Sequence, residues 1–298
     1  MPEGLSIRYD APDPSLAEAI TGYTVYSASI EDERVDWFLP GTAEICITLN
    51  AAPILLTIRR RTYRPMPQLT LIGPTSQAMR AVTRGGTLIG VGLSALGWSR
   101  FFSRPASDYR DRAVPLADAA SPEFAHDLLA TLERTDRDGE VKAALDAVLL
   151  RHIRPPHPDS RQVRQLLDLI IGDTVEGLPA LTNELGMPAH TLRRLAARHF
   201  GFPPKLLLLR ARFVRSFVHM VLAGDVLDYS TIASSYYDVS HFLRDAGTFL
   251  GTTPKRFINL PTTFLQGSLR ARAAALGSPT QVLHAIPFGQ LDAPGGEP

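Results

Sequence analysis

The sequence predicts an α+β protein, a β-rich N-terminal half followed by an all-α half. Three observations predict it. From about residue 23 to residue 100, apolar residues alternate or form short runs between prolines and glycines. After Pro115 they recur at helical spacing. Within residues 161–260 the chain then repeats itself at an offset of fifty. A length of 298 residues suits two domains, and 45% hydrophobic with 20% charged residues excludes a largely disordered chain.

The β-rich part is read from four segments. In 42–49, Ala43, Ile45, Ile47 and Leu49 fall on one face of a strand. Residues 53–58, 68–73 and 87–93 are short apolar runs bounded by turn residues. Strands of this length and spacing predict a small sandwich or barrel. Next, Ser121-Pro122 opens a helix carrying Phe124, Leu128, Leu129 and Leu132, and residues 141–153 form another with Ala144, Leu145, Val148 and Leu149 on one face. Residues 154–160 hold three prolines and are expected to link domains. Helices are predicted over 161–172, 178–185, 188–200, 204–223, 230–236, 239–250 and 254–259, with one more over 265–276. Residues 290–298 are expected to lack order. The expected domains are 1–118, a helical segment 119–158, 159–262, and an extension 263–298.

Charge is divided unevenly. Residues 1–160 carry 17 Lys+Arg against 20 Asp+Glu, whereas residues 161–260 carry 12 against 8. A basic segment behind an acidic one points to a polyanionic partner for the second half, although four charges also suit a solvated face.

The repeat is more specific. Leu192, Arg193 and Arg194 fall on Phe242, Leu243 and Arg244, and Gly201, Pro204 and Lys205 recur as Gly251, Pro254 and Lys255. One extra residue in the second turn sets Leu181 on Ile232 and Leu185 on Tyr236. Each unit reads as a short helix, a tight turn, a second helix and a Gly-x-x-Pro-Lys opening to a third, a duplicated helix-turn-helix. In the first unit Leu192, Leu195 and Ala196 make the buried stripe, and His190, Arg193, Arg194 and Ala197 share the opposite face. In the second, Phe242, Ala246 and Phe249 face inward while Ser240, His241 and Arg244 can face outward. An arginine on such a face can reach guanine O6 and N7 in the major groove. The 20-residue spacer 204–223 would span about 30 Å, close to one turn of B-DNA at roughly 34 Å.

At these residues the chain resembles the AraC-type (AraC/XylS) bacterial transcription regulators. The resemblance covers about residues 161–260, strongest over 236–244 and 249–257, with 185–194 and 200–205 matching the first unit. It implies two helix-turn-helix units joined by a rigid helix and bound to double-stranded DNA. It places the base-facing positions at Ala189, His190, Thr191, Arg193 and Arg194, and at Val239, Ser240, His241 and Arg244. It further implies that the N-terminal part is a cupin-like domain that binds a small-molecule effector. Homodimer contacts would come from the helices within 121–153, for which packing within the chain is an equal alternative. RNA polymerase would be a partner if the protein activates. Departures from the pattern are Ser235 for a turn glycine, Pro188 for a capping serine, Val239 for a glutamine and Ala246 for a phenylalanine. With Gly247 they suggest that the second unit reads sequence less strictly.

Enzyme chemistry in the N-terminal half is the competing reading, and its motifs are incomplete. No histidine precedes His126, so a metal cupin site is not expected. Gly86-x-x-x-Gly90-x-Gly92 lacks the Lys-Ser/Thr of a phosphate loop, and Ser94 lacks nucleophile-elbow spacing. Arg59, Arg60 and Arg61 are expected to alternate along a strand as solvated charge and Cys46 to be half-buried on a strand; Trp37 and Trp98 could line an effector pocket, with core filling the expected role. His152 and His157 flank the proline-rich segment, where no metal is expected. No cofactor and no enzymatic activity are expected. One cysteine, no secretory pattern at the start and no run of eighteen apolar residues point to a cytoplasmic protein without a membrane span.

Overall fold

A computed structural model describes residues 4–28, 33–135, 139–223, 236, 238–262 and 264–285. The architecture is α+β. Ten strands form the N-terminal half: β1 (Leu5–Asp10), β2 (Ile20–Ala28), β3 (Arg34–Phe38), β4 (Glu44–Leu49), β5 (Leu55–Ile58), β6 (Arg61–Tyr63), β7 (Leu69–Ile72), β8 (Met79–Thr83), β9 (Gly86–Leu93) and β10 (Ala113–Pro115). They pair antiparallel in two sheets, one ordered β1-β2-β9-β4-β7-β10 and the other β3-β8-β5-β6.

Strand alternation assigns the two faces of the six-stranded sheet. Ala43, Ile45, Ile47 and Leu49 share one core with Tyr23, Val91, Trp98, Phe124, Leu128, Leu145 and Leu149. Cys46 points the other way, into an inter-sheet core with Ile54, Leu56, Ile58, Ile72 and Met79. Both faces are therefore covered. Cys46 is fully buried, where half-burial was expected, and burial pushes its thiol pKa well up. Arg59 is not on a strand. It sits at φ 54° in the β5–β6 turn and donates to the Ser76 hydroxyl at 2.9 Å.

The first core's outer layer is helical. α1 (Ala95–Phe101) and the single turn α2 (Leu116–Ala119) lead to α3 (Pro122–Glu133) and α4 (Val141–His152). Ser121 caps α3 by accepting from the Phe124 N–H at 3.2 Å, with Pro122 in the first turn. The apolar faces of α3 and α4 close over the sheet within the chain. Asp146 of α4 ties them down, accepting from the Tyr23 hydroxyl at 2.7 Å and the Asp13 N–H at 2.8 Å.

The helical half comprises α5 (Ser160–Gly172), α6 (Gly177–Leu185), α7 (Ala189–Phe200), α8 (Pro204–Ala223), α9 (Val239–Phe249), α10 (Pro254–Ile258) and α11 (Leu265–Leu276). α5–α8 share a core with Ala95 and Leu96 of α1. α8–α11 share another with Ala78, Trp37 and Leu39. Phe213, Phe217, Phe242 and Phe249 stack in that second core with centroids 5.4–5.7 Å apart, each worth up to about 3 kcal/mol of burial. The proline-rich stretch is strapped to the end of α1: the Arg154 N–H donates to the Arg100 carbonyl at 3.0 Å and Arg100 Nε to the Arg154 carbonyl at 2.7 Å. The helix expected over 230–236 lies outside the described residues apart from Tyr236, as do Ser235 and residues 286–298. No helix among the described residues is long and apolar enough to cross a membrane.

Candidate nucleic-acid interface and interior cavity

The first repeat unit is α6, a turn and α7. Gly186 ends α6 at φ 59°, a left-handed conformation that costs a glycine little. The Gly186 and Met187 N–H groups return to the carbonyls of Asn183 and Thr182 at 3.2 and 3.1 Å. Pro188, in extended conformation, then opens α7 without a side-chain cap. Leu181 of α6 and Leu192, Leu195 and Ala196 of α7 are buried. Helical spacing turns the other stripe outward: His190, Arg193 and Arg194 are exposed, and Ala189 and Thr191 are half-buried.

α9 is the corresponding helix of the second unit. Phe242, Ala246 and Phe249 are buried. Val239, Ser240 and Arg244 are exposed and His241 is half-buried. Unlike α7, α9 is capped: Asp238 accepts from the His241 N–H at 2.7 Å. The nine sequence-predicted positions thus fall into two open stripes, one on each helix.

Both helices meet the β-rich half at their C-terminal ends, away from those stripes. Gly201, at φ 80°, lies against Pro74 and Ala106, and Gly251, at φ 77°, lies against Gln77. The Ala78 N–H donates to the Phe249 carbonyl at 2.8 Å, and Gln77 Nε2 to the Thr248 carbonyl at 3.2 Å. Between them, Arg210 of α8 is buried and donates to the carbonyls of Gly41 and Thr75 at 3.0 and 2.9 Å. Burial lowers its pKa to about 10, so it stays charged at neutral pH. Loop 73–78 is therefore a common footing for both units and their spacer.

His199, at the base of α7, approaches the Asp159 carboxylate at 3.5 Å and the His157 ring at 5.1 Å between centroids. The ligand atoms of this trio lie within 4.8 Å of one another. Sequence reasoning singled out His157 but not its neighbours, because 42 positions separate it from His199. Desolvation lowers the His199 pKa to about 4, leaving a neutral imidazole.

A cavity of about 200 Å³ lies between the two sheets, closed on one side by α11 and the residues after it; sequence reasoning offered Trp37 for such a pocket without placing it. About 10–15 Å³ in this measure admits one water, so the space is ligand-sized. Its walls include Tyr26, Trp37, Phe38, Ile54, Leu56 and Phe264. Trp37 is thus a wall residue, whereas Trp98 fills core. Glu44 of β4 also lines it, and desolvation raises its pKa to about 7. Gly90 and Gly92 make room. A Cβ on Gly90 would lie 2.1 Å from Glu44 Oε1, and one on Gly92 2.9 Å from Gln281 Nε2. Gly86, the first glycine of the run that lacks the Lys-Ser/Thr of a phosphate loop, lines this space.

These elements define an α+β protein with a repeated helical unit seated on a two-sheet β domain. No protein-family model matches the chain, and no curated protein does. Solved structures similar to it include ToxT from Vibrio cholerae O395, 12% identical over 87% of this chain and 99% of that one, with a TM-score of 0.44. Another is unsaturated fatty acid-bound ToxT from Vibrio cholerae strain SCE256, 12% identical over 80% and 95%, TM-score 0.43. A third is the AraC-like transcriptional activator CuxR, 9% identical over 74% and 90%, TM-score 0.23.

Proposed function

We propose that this chain is a sequence-specific double-stranded-DNA-binding transcription regulator controlled by a small molecule held in its β domain. The carrying observation is the duplicated helical unit, whose two matching helices each leave one polar stripe open while burying the other. In this reading α7 and α9 enter successive major grooves, with α8 as the spacer. Arg193, Arg194 and Arg244 are the strongest base readers, because guanidinium can bond two guanine acceptors at once. Ala189, His190, Thr191, Val239, Ser240 and His241 shape the remaining contact. Among the described residues Arg193, Arg194 and Arg244 make no ion pair.

Selection from a random duplex library tests this directly. The full chain should enrich a motif with half-sites about one turn apart. Arg194→Ala should then lose about 1–3 kcal/mol on that motif and relax preference at one position. Affinity should fall steeply with added salt as phosphate contacts release counterions. A chain that enriches no motif at low salt does not read DNA in this way.

A further inference from the structure

We propose that the inter-sheet cavity takes a compact apolar amine, its ammonium seated at Glu44 and its body against the rings of Tyr26, Phe38 and Phe264. This rests on the regulator reading only in calling the ligand an effector; the binding chemistry stands on the cavity itself.

Most polar groups around the space are already engaged; among the described residues the Thr280 hydroxyl lacks a partner, and Glu44 is the charged group without one. The hydroxyls of Tyr9 and Tyr26 both reach Ser268 Oγ, at 2.6 and 3.1 Å. Thr42 donates to Gln281 Oε1 at 2.7 Å, and Asp36 accepts from the Phe264 N–H at 3.2 Å. Arg272 donates to the Ser278 carbonyl at 2.6 Å and the Thr21 carbonyl at 3.0 Å, tying α11 and its following turn to β2. Glu44 alone of these takes part in no hydrogen bond and no ion pair among the described residues, and Arg272 acts on it only through space. A buried carboxylate without a partner is costly, and a cation is the group that relieves it.

The surroundings suit a cation on an apolar body. Tyr26 stands edge-to-face with Phe38 at 6.2 Å and with Phe264 at 5.2 Å, and all three rings line the space. Aromatic faces attract ammonium groups, most strongly when water is excluded. A polyol would find the Tyr9, Tyr26 and Ser268 hydroxyls already bonded to each other. An anion would have to share the site with Glu44, while the Arg272 donors remain on backbone carbonyls. Among the described residues, the charged and titratable groups around Glu44 are Tyr9 of β1, Tyr26 of β2, Asp36 of β3, Cys46 of β4 and Arg272 of α11. Arg272 favours the ionised carboxylate, and burial disfavours it. Amine binding requires the ionised form and tightens as pH rises through about 7.

The test is calorimetric titration of the full chain with phenylbutylamine, phenylbutanol and phenylbutyrate, which differ only in the head group. The amine should bind roughly tenfold or more tighter than the alcohol, the size expected of a hydrogen bond to a charged partner. Glu44→Gln should erase that preference and its pH dependence. Phe264→Leu, which leaves the carboxylate in place, should weaken the amine more than the alcohol. Tightest binding of phenylbutyrate, equal binding of amine and alcohol, no binding of any probe, or undiminished amine preference in a folded E44Q protein would each overturn the proposal. The DNA selection is read separately. A chain that enriches a motif but ignores the amine loses only this inference, and one that binds the amine but enriches no motif loses only the regulator reading.

Discussion

The corresponding helices of the two repeat units, α7 and α9, are alike where they end and unlike where they begin. Gly201 and Gly251 both take positive φ and both rest on loop 73–78. At the start, Pro188 opens α7 without a cap, while Asp238 caps α9. The interiors differ too. The repeat sets Leu195 on Asp245, Leu185 on Tyr236 and His199 on Phe249. Unit two thus buries a hydrogen-bonded pair, the Tyr236 hydroxyl donating to Asp245 at 2.9 Å, where unit one has two leucines. What is duplicated is the terminator and its docking; what has drifted is the reading face and the packing beneath it.

The largest effect should come from the spacer that both units share. Arg210→Met removes the charged donor of the Thr75 carbonyl and leaves the Gly41 carbonyl with the Thr75 N–H alone, and should cost about 2–4 kcal/mol in urea unfolding. A loss confined to one unit, seen by hydrogen exchange, would break the idea of a common footing. Next, Gly201→Ala and Gly251→Ala should cost about 1–2 kcal/mol each, from positive φ and contact with the loop. Gly201 should cost more, because backbone at Ala106 lies 3.2 Å from its new Cβ, whereas Gly251 meets only the Gln77 side chain.

His199 sets unit one apart from unit two in its response to pH. Its folded pKa, about 4, lies below the ordinary 6.5. The unfolded chain therefore binds more protons between those values, and stability falls as pH drops from 6.5 through 4. His199→Phe, copying unit two, should remove that part of the acid sensitivity in unfolding midpoints measured across pH 4–7. Glu44 acts in the opposite sense. Its raised pKa makes stability fall as pH rises from 4.5 through about 7. The smallest effects belong to the caps and stripes. Asp238→Ala should cost about 1 kcal/mol, and Arg193→Ala or Arg244→Ala within about 0.5 kcal/mol of stability, although both should weaken DNA binding.

Local pattern carried most of what was legible. Apolar period two placed β4, period 3.6 placed α3 through α9, and the spacer fell on Pro204–Ala223 as predicted. The open stripes followed from the same spacing. Alternation along β4 also implied a second face, but not that Glu44 on it would look into a cavity. That depends on Gly90 lying beneath it and on α11, more than two hundred positions later, lying above. The meeting of His157, Asp159 and His199 has the same cause. Long-range pairing leaves no periodic trace in a single chain.

The placement of α11 bears on how the molecule can be taken apart. A helix more than two hundred positions after the strands it covers supplies the roof over their chamber. Phe264, Ser268 and Arg272 hold it there by bonds to Asp36, to Tyr9 and Tyr26, and to Thr21. Cutting the protein at residue 155 to isolate a sensor would yield an open bowl, and cutting at residue 262 to trim a tail would do the same.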